Sequence, residues 1–513
     1  MNTLPWLTIM MAVPAVGAAV VAVMPKDNAL AAKRTAFTIS LVPVALVAYL
    51  WSQFDAGSSA QFQFAESQPW IRAWGVSYAM GIDGIALAMI ALSAILVPVV
   101  ILAGWNDVEN RGSGSVREYF AWFLLLEAFM VGVFAATDVF LFYVFFEAML
   151  VPVYFLIGRF GGPRGAQAAV KFFIYSLVGG LIMLAALIGL YAITSRGNGP
   201  SFAYADVLGL AMDPMTQKLL FLGFFIAFAI KAPLVPVHTW LPDAAQQATP
   251  ATTVLLVGVL DKVGTFGMLR LCLPLFPDAA RWFTPTVLTL GLIGIIYGAI
   301  VAVGQTDMRR LVAFTSISHF GFITIGVFVM TSLGQAGASL YMVNHGFSTA
   351  ALLLIVGYLI SRRGSARIAD FGGVHKVAPL LSGLFLVAGL SSLALPGMSS
   401  FVSEFMVLQG VFQRQPAVAL AATSGVVLAA TYILVMFKRT MTGPATEGTA
   451  MVRELDKREI AAVSPLVAAI LALGFFPQPV LDVVNPAVER TMQHVGAVDP
   501  RPRVEAVDAE DGR

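Results

Sequence analysis

Two lysines lie near the middle of stretches that are otherwise apolar and long enough to cross a membrane. Lys231 stands in FLGFFIAFAIKAPLVPVHTW, 13 residues after Lys218, which is about 20 Å along a helix. Lys262 stands in TTVLLVGVLDKVGTFGMLRL, about 18 Å beyond Pro250 by the same rise. An ionisable group at such depth costs about 2.5–3.5 kcal/mol even on a lenient insertion scale, and such groups usually mark an ion or proton path.

A carboxylate lies at a similar depth in a third apolar stretch. Glu147 follows Asp138 by nine residues and precedes Arg159 by twelve. A buried carboxylate and a buried lysine that come together favour each other's charged forms. The approach or separation of Glu147 and Lys231 would then decide whether the lysine keeps its proton or passes it to Lys262. The alternative is a static ion pair that locks two helices together.

Further ionisable residues continue this series along the chain. His319 and His345 fall near the middle of predicted helices, and imidazole titrates near neutrality and passes a proton through either nitrogen. Each histidine alone is also compatible with a satisfied core residue, but their position between Lys262 and Glu404 favours a relay. Glu404 would end the series, unless it is an interfacial carboxylate. Glu127 is a minor candidate without a partner, and we interpret Lys171, His238 and Asp243 as structural.

The composition identifies the elements that must position these groups. Of 513 residues, 58% are hydrophobic and 12% are charged, whereas soluble proteins average about 25% charged residues. We therefore predict an all-α polytopic membrane protein with about 14 transmembrane helices. The predicted helices begin near residues 3, 34, 82, 116, 138, 169, 217, 249, 284, 309, 335, 377, 415 and 459.

The charge distribution, the cysteine count and the motif content limit the classes of function that fit the chain. Lysine and arginine are concentrated in the loops after odd-numbered helices, so the positive-inside rule predicts that both termini lie on the outer side. The single cysteine, Cys272, excludes an internal disulfide and an iron–sulfur cluster held by this chain's own thiolates. No phosphate-binding glycine motif is found, so no nucleotide is expected to drive transport directly.

Similarity between two parts of the sequence predicts two repeats of five helices. TDVFLFYVFFEAMLVPVYFLIG, from Thr137, resembles TDMRRLVAFTSISHFGFITIGV, from Thr306, and the region around Pro233 corresponds to that around Pro396. Five is an odd number, so the second copy must be inverted in the membrane. Prolines break predicted helices 7 and 12, which in secondary transporters marks the ion site, although a simple packing kink is the alternative.

The predicted units follow from this repeat. They are residues 1–115 (helices 1–3), 116–276 (the first repeat, helices 4–8), 277–440 (the second, inverted repeat, helices 9–13), 441–494 (the helix 14 region) and 495–513 (a polar tail).

These residues resemble a known family, the antiporter-like membrane subunits of proton-pumping NADH:quinone oxidoreductase, or respiratory complex I. The resemblance spans nearly the whole chain. It is closest to the M-type subunits, because Glu404 stands where L-type and N-type relatives and cation/proton antiporter subunits usually carry lysine. Five stretches carry the resemblance: GIDGIAL from 81, TDVFLFYVFFEAMLVPVYFLIG from 137, KAPLVPVHTWLPDA from 231, QTDMRRLVAFTSISHFGF from 305 and LPGMSSFVSEF from 395.

The resemblance implies a role for each matching position. Glu147 and Lys231 would be the pair on helices 5 and 7, and Lys262 would be the relay residue at the centre of the series. His319 and His345 would be connecting groups, and Glu404 the outer relay. One departure limits the comparison: Ala245 occupies a position where the family usually has histidine, so a role of that histidine in proton uptake does not carry over.

The resemblance also implies a setting. The chain itself would hold no cofactor and no metal, whereas FMN, iron–sulfur clusters and quinone would reside in partner subunits. Its neighbours would be L-type and N-type antiporter-like subunits in a bacterial inner membrane. Two alternatives remain: a subunit of a multisubunit sodium/proton antiporter, against which Glu404 argues, and a non-pumping scaffold, against which the buried ionisable groups argue.

Overall fold

The described residues cover most of the chain. The computed structural model describes residues 4–26, 28–109, 115–197 and 199–500. The predicted polar tail therefore lies outside the described residues from position 501 onward, and its first residue, Val495, instead ends a helix.

The described part of the chain is mostly helical, as the composition predicts, and twelve helical spans, with Val139–Gly158 counted as one, are long and apolar enough to cross a membrane. The α-helices are α1 Trp6–Val23, α2 Ala29–Gln53, α3 Gly84–Ala103, α4 Val116–Ala135, α5 Val139–Ala148, α6 Leu150–Gly158, α7 Gly165–Thr194, α8 Tyr204–Val207, α9 Pro214–Lys231, α10 Trp240–Gln247, α11 Pro250–Leu255, α12 Lys262–Gly267, α13 Leu273–Leu275, α14 Pro277–Val303, α15 Met308–Phe328, α16 Ser332–Arg363, α17 Pro379–Ser392, α18 Ser399–Arg414, α19 Pro416–Met441, α20 Lys457–Phe475 and α21 Gln478–Val495.

The seventh, eighth and twelfth of the fourteen predicted helices are interrupted. The eighth consists of α11, α12 and α13, separated by π-helical turns at Leu256–Leu260 and Met268–Cys272. The twelfth consists of α17 and α18, with a non-helical break between them. The seventh is also broken, into α9 and α10, as the prolines predict. The count of fourteen membrane crossings and the inversion of the second repeat stay predictions.

A small antiparallel sheet was not predicted. Strands β1 (Gln63–Ile71) and β2 (Val76–Ile82) pair between α2 and α3. The carboxylate of Glu66 on β1 accepts hydrogen bonds from the backbone of Leu7 (2.7 Å) and Thr8 (3.2 Å) at the start of α1. The sheet thus satisfies free N–H groups at a helix start, which need partners wherever water is excluded.

The core lies around α15 and α16. Nearly every residue of these two helices is buried, whereas α1, α2, α19 and α20 bury only one side. Helix α16 contacts α3, α11, α15, α17, α18, α20 and α21. A polar side chain on α15 or α16 is therefore surrounded by protein on all sides and must find its partners there.

The C-terminal helix α21 packs tightly against the start of α3. A Cβ atom at Gly84 would stand 1.6 Å from the carbonyl oxygen of Val483, so only glycine allows this approach. Asp83 caps α3 by accepting from the backbone of Ala86 (2.9 Å) and also pairs with Arg270 (2.8 Å). These contacts explain why the GIDGIAL stretch carries both Asp and Gly.

Candidate functional site

The first helix break places Lys231 at the end of α9. Pro233 has no N–H, and the N–H of Leu234 bonds to the carbonyl of Ala229 (2.9 Å). This leaves the carbonyl of Ile230 without its regular helical donor, and the indole of Trp240 on α10 donates to it instead (2.8 Å). The break is thereby satisfied inside the protein, as a polar backbone in a membrane requires.

Lys231 is fully buried in an aromatic surrounding. Its ammonium lies 4.9 Å from the ring centre of Phe146 on α5 and 5.5 Å from that of Phe172 on α7. Cation–π attraction partly compensates for lost hydration at these distances. Among the described residues, no hydrogen-bond partner reaches the Lys231 Nζ atom.

Glu147 lies close enough to Lys231 for the two charges to interact, but the two side chains do not form an ion pair. The Oε1 atom of Glu147 is buried against α7, where a Cβ at Gly180 would stand 1.7 Å from it. The absence of side-chain atoms at Gly180 therefore creates the space that Glu147 occupies. The structure brings the predicted pair together electrostatically while leaving each group unpartnered within the described residues.

Lys262 has a different environment, with several direct partners. Its fully buried ammonium donates to the carbonyl of Val257, lies 3.3 Å from the Oδ1 atom of Asp261, and is hydrogen-bonded to the Nδ1 atom of His345 (2.8 Å). A protonated lysine can only donate, so Nδ1 of His345 must be the acceptor in that state. The ring of Phe320 lies 5.2 Å away.

The contacts continue from His345 to Glu404. The rings of His345 and His319 are nearly perpendicular, with centres 5.2 Å apart, and the ring of Tyr341 lies 5.9 Å from His319. The hydroxyl of Tyr341 donates to the Oε2 atom of Glu404 (2.7 Å). All four side chains are buried. We define this series, from Lys262 through His345, His319 and Tyr341 to Glu404, as the central relay.

The second helix break lies beside the outer end of the central relay. Between α17 and α18 the backbone adopts left-handed conformations at Ala394 (φ 57°) and Gly397 (φ 90°). The amide of Asn344 on α16 donates to the carbonyl of Ser399 (2.7 Å), and the hydroxyl of Ser348 contacts that of Ser391 (2.5 Å). Polar groups of α16 thus satisfy the broken helix that carries Glu404.

The two groups of residues meet at a close backbone contact. A Cβ at Gly264 on α12 would stand 2.6 Å from the backbone nitrogen of Ala232, directly after Lys231. Within the described residues, no side-chain hydrogen bond links Lys231 to Lys262. Within the described residues, the structure thus separates the predicted residues into the pair Glu147–Lys231, which forms no ion pair, and the central relay, which is hydrogen-bonded at its two ends and held by ring contacts at His319.

Sequence reasoning missed Tyr341 and Asp261. Tyr341 lies four residues before His345 on α16, so both share one helix face. Asp261 directly precedes Lys262, and an adjacent acid and base in an apolar stretch is a signal that could have been noticed. The tyrosine offered no comparable signal, because buried tyrosines are common in membrane helices.

The remaining candidates have mainly structural contacts or none. Asp243 pairs with Lys171 and Arg310, both at 2.7 Å, which joins α7, α10 and α15 and agrees with a structural role. Glu127 is fully buried, and its carboxylate has no hydrogen-bond partner among the described residues. Ala245 is buried and adds no polar side chain. The described residues contain no cluster of His, Cys, Asp and Glu arranged for a metal ion.

Comparison with known families decides the identity of this architecture. Residues 136–429 match the family model described as NADH:quinone oxidoreductase/Mrp antiporter, transmembrane, and residues 29–133 match the amino terminus of NADH-ubiquinone oxidoreductase chain 4. The chain belongs to the NADH:quinone oxidoreductase/Mrp antiporter family. The resemblance that the five sequence stretches indicated is therefore confirmed.

Relatives within the NADH:quinone oxidoreductase/Mrp antiporter family match the chain over nearly its whole length. NADH-quinone oxidoreductase subunit M of Mycobacterium tuberculosis is 48% identical, with 98% of this chain and 97% of the relative covered. Subunit M of Rhodobacter capsulatus is 39% identical, with coverage of 96% and 97%. The chain is therefore a multi-pass membrane member of a respiratory-complex family.

Two solved structures share the fold. A chain of respiratory complex I from Thermus thermophilus with bound NADH is 30% identical, with a TM-score of 0.85 over 96% of this chain and 100% of that chain. A chain of the Mrp complex from Dietzia sp. has a TM-score of 0.84 over the same shares, but at 23% identity it is evidence of the fold alone.

Proposed function

We propose that this chain is the proton-translocating membrane subunit of an NADH:quinone oxidoreductase, and that protons move through the central relay. The observation that carries the proposal is the series of contacts from Lys262 to Glu404, which joins ionisable groups on α12, α15, α16 and α18. Packing alone does not require such groups, because each costs about 2.5–3.5 kcal/mol in a membrane.

Glu147 and Lys231 act as the gate in this proposal. When Glu147 approaches Lys231, the pair stabilises the charged lysine; when the two separate, the lysine loses that support and releases its proton toward Lys262. The proline break beside Lys231 and the glycine beside Glu147 support this role, because they allow the two groups to shift without side-chain collisions.

The driving energy comes from outside the chain. Quinone reduction in partner subunits, which would hold FMN and iron–sulfur clusters, would move the charges that open and close the gate. L-type and N-type antiporter-like subunits are the proposed neighbours in a bacterial inner membrane. The distribution of basic residues supports placing both termini on the outer side.

Replacement of Lys262 tests the function directly. The Lys262→Met variant should assemble with its partners but lose quinone-coupled proton pumping, measured in vesicles that contain the whole complex. Lys438→Met is the matched control, because Lys438 lies exposed in the last turn of α19 and should leave pumping unchanged. Normal pumping by assembled Lys262→Met would contradict the proposed relay.

The antiporter alternative predicts a different observation. A subunit of a sodium/proton antiporter should produce sodium-dependent pH changes in vesicles without NADH. Purification of the native chain with flavin and iron–sulfur subunits that oxidise NADH would exclude that alternative, whereas purification without them would contradict the proposal.

A further inference from the structure

A polar cavity opens at the membrane side that carries the basic loops. Its volume is about 530 Å³. It lies where α3 and α16 end and where α11, α15 and α20 begin, on the side that the positive-inside rule assigns to the cytoplasm. Its lining includes the ionisable residues Asp107, Arg309, Arg458 and Glu459. Such a cavity exposes Asp107 to water and to its protons.

A line of hydroxyl groups leads from Asp107 into the protein. The hydroxyl of Tyr119 on α4 lies 3.3 Å from the Oδ2 atom of Asp107 and 2.6 Å from the Oγ1 atom of Thr249. The hydroxyl of Thr249 in turn donates to that of Thr252 on α11 (2.9 Å). Tyr119, Thr249 and Thr252 are at most 2% exposed, so the line runs through the protein interior.

These hydroxyls can pass a proton because each has more than one possible partner. The single hydroxyl hydrogen of Tyr119 has a choice of two acceptors, and either oxygen of the Tyr119–Thr249 contact can be the donor. A proton arriving on Asp107 moves to the Tyr119 oxygen while the Tyr119 hydrogen moves to Thr249. The Thr249 hydrogen then moves to Thr252, and the Thr252 hydrogen passes to a bridging water on the side of Lys262, so each hydroxyl oxygen gains one proton and loses one.

Packing and capping do not account for all of these groups. The Tyr119 ring lies among Phe120, Phe123 and Phe160 and would pack there equally well as phenylalanine. Thr249 caps α11 by accepting from the backbone of Thr252 (3.2 Å), which does not require the tyrosine hydroxyl. A buried hydroxyl costs free energy unless it is hydrogen-bonded, so the Tyr119 hydroxyl needs another reason to be present.

The inner end of this line lies on the same helical stretch as Lys262. The Lys262 ammonium reaches back along its helix to the carbonyl of Val257. Thr252 and Val257 are five residues apart, about 7.5 Å of helical rise, a distance that two bridging water molecules cover. The π-helical turn Leu256–Leu260 begins at the inner end of this interval and contains Val257, and π-helical turns are frequent at functional sites.

We propose that Asp107, Tyr119, Thr249 and Thr252 form the route by which protons from the cytoplasmic-side cavity reach Lys262. We call this series the uptake route. The inference rests on the proposed function of the central relay. It assigns proton uptake to hydroxyl groups of α4 and α11, in a chain that has alanine at position 245 and so no titratable side chain there.

The Tyr119→Phe variant tests the uptake route with the least structural change. Since general acid–base groups contribute at least about 100-fold and water replaces a missing hydroxyl in part, we expect quinone-coupled pumping to fall on the order of tenfold. Uptake should then limit the rate, so the slowing in D₂O should exceed that of the native complex. Tyr204→Phe is the matched control, because Tyr204 is equally buried but lies outside the uptake route.

A second pair of variants separates the hydroxyl from the shape of the side chain. Thr249→Val should reduce pumping like Tyr119→Phe, whereas Thr249→Ser keeps the hydroxyl and should pump at nearly the native rate. Equal losses in both threonine variants, or native pumping and a native D₂O effect in Tyr119→Phe, would overturn the uptake route.

The variants distinguish an incorrect uptake route from an incorrect proposed function. If Lys262→Met abolishes pumping while Tyr119→Phe and Thr249→Val pump normally, the relay stands and the uptake route is wrong. If Lys262→Met itself pumps normally in the assembled complex, the proposed function fails, and the uptake route fails with it.

Discussion

The two groups of buried charges differ in how they are partnered. Lys231 is surrounded by aromatic rings, and both it and Glu147 lack hydrogen-bond partners among the described residues. Lys262, in contrast, contacts a carboxylate, a carbonyl and an imidazole, and the contacts extend to Glu404.

This difference indicates two tasks. A buried charge without a partner is costly, so an arrangement that holds it apart from its counter-ion is easily shifted by an external charge. In the central relay, hydrogen bonds join Lys262 to His345 and Tyr341 to Glu404, which pre-organises both ends. Between these ends, His319 makes ring contacts, and its two nitrogens have no hydrogen-bond partner among the described residues. The gate is therefore the element suited to respond to partner subunits, and the central relay the element suited to conduct.

The largest effect is expected at the gate. Glu147→Gln removes the only charge proposed to stabilise Lys231, so quinone-coupled pumping should fall on the order of 100-fold, the lower range for groups that transfer protons. Glu118→Gln is the control, because Glu118 pairs with Arg159 at the partly exposed start of α4. Equal pumping by both variants in assembled complexes would show that Glu147 and Lys231 do not act as a gate.

The Gly180→Ala variant displaces Glu147 without changing any charge. In Gly180→Ala the new methyl group would occupy the position of the Glu147 carboxylate and displace it, so pumping should fall roughly tenfold, between the loss of a whole proton-transfer group and that of one hydrogen bond. Gly383→Ala should have no effect, because no atom lies within 4 Å of its Cβ position. Native pumping by Gly180→Ala would show that the position of Glu147 is not critical.

A smaller effect is expected in the central relay. Tyr341→Phe removes one hydrogen bond to Glu404, a loss of about 1 kcal/mol, so pumping should fall about fivefold. Tyr432→Phe tests whether proximity to Glu404 has an effect without a hydrogen bond. Tyr432 is buried and feels the charge of Glu404, but its hydroxyl has no hydrogen-bond partner among the described residues. Similar losses in both variants would mean that the Tyr341 contact is not part of the relay.

The smallest effect on pumping is expected at Glu127, which belongs to neither group. Glu127→Leu should leave pumping within about twofold and increase thermal stability, because it removes a buried carboxylate that has no hydrogen-bond partner among the described residues. Such a buried group costs about 1–3 kcal/mol. Thermal unfolding of the purified complex measures the second effect. A large loss of pumping would show that Glu127 also takes part in proton transfer.

Much of this arrangement was predictable from residue type and depth. Proline near Lys231 and before Glu404 indicated the two helix breaks, and both are present. The mid-helix position of His319 and His345 indicated a buried series, and both histidines lie beside their predicted neighbours. These predictions succeeded because a membrane penalises polar groups strongly, so each exception to an apolar stretch is informative.

Other features had no comparable signal. Tyr341, Tyr119 and Thr249 are ordinary residues of membrane helices, and their significance arises only from contacts between helices that are distant in sequence. The strand pair β1–β2 lies in a polar loop between two predicted helices, where hydropathy gives little information. The π-helical turns around Lys262 likewise depend on local packing rather than on composition.

The sequence by itself determined the class of protein, the family, the helix breaks and the ionisable groups, because each follows from hydropathy or from motifs within one helix. The tertiary structure alone decided which of these groups touch. Among the described residues it left the Lys231 ammonium and the Glu147 Oε1 atom without hydrogen-bond partners, and it bonded Lys262 to His345 and Tyr341 to Glu404. It also placed the hydroxyl groups of Tyr119 and Thr249 in series from Asp107. The physical reason is that a hydrogen bond requires a few ångströms between side chains, and only the packing of helices sets that distance.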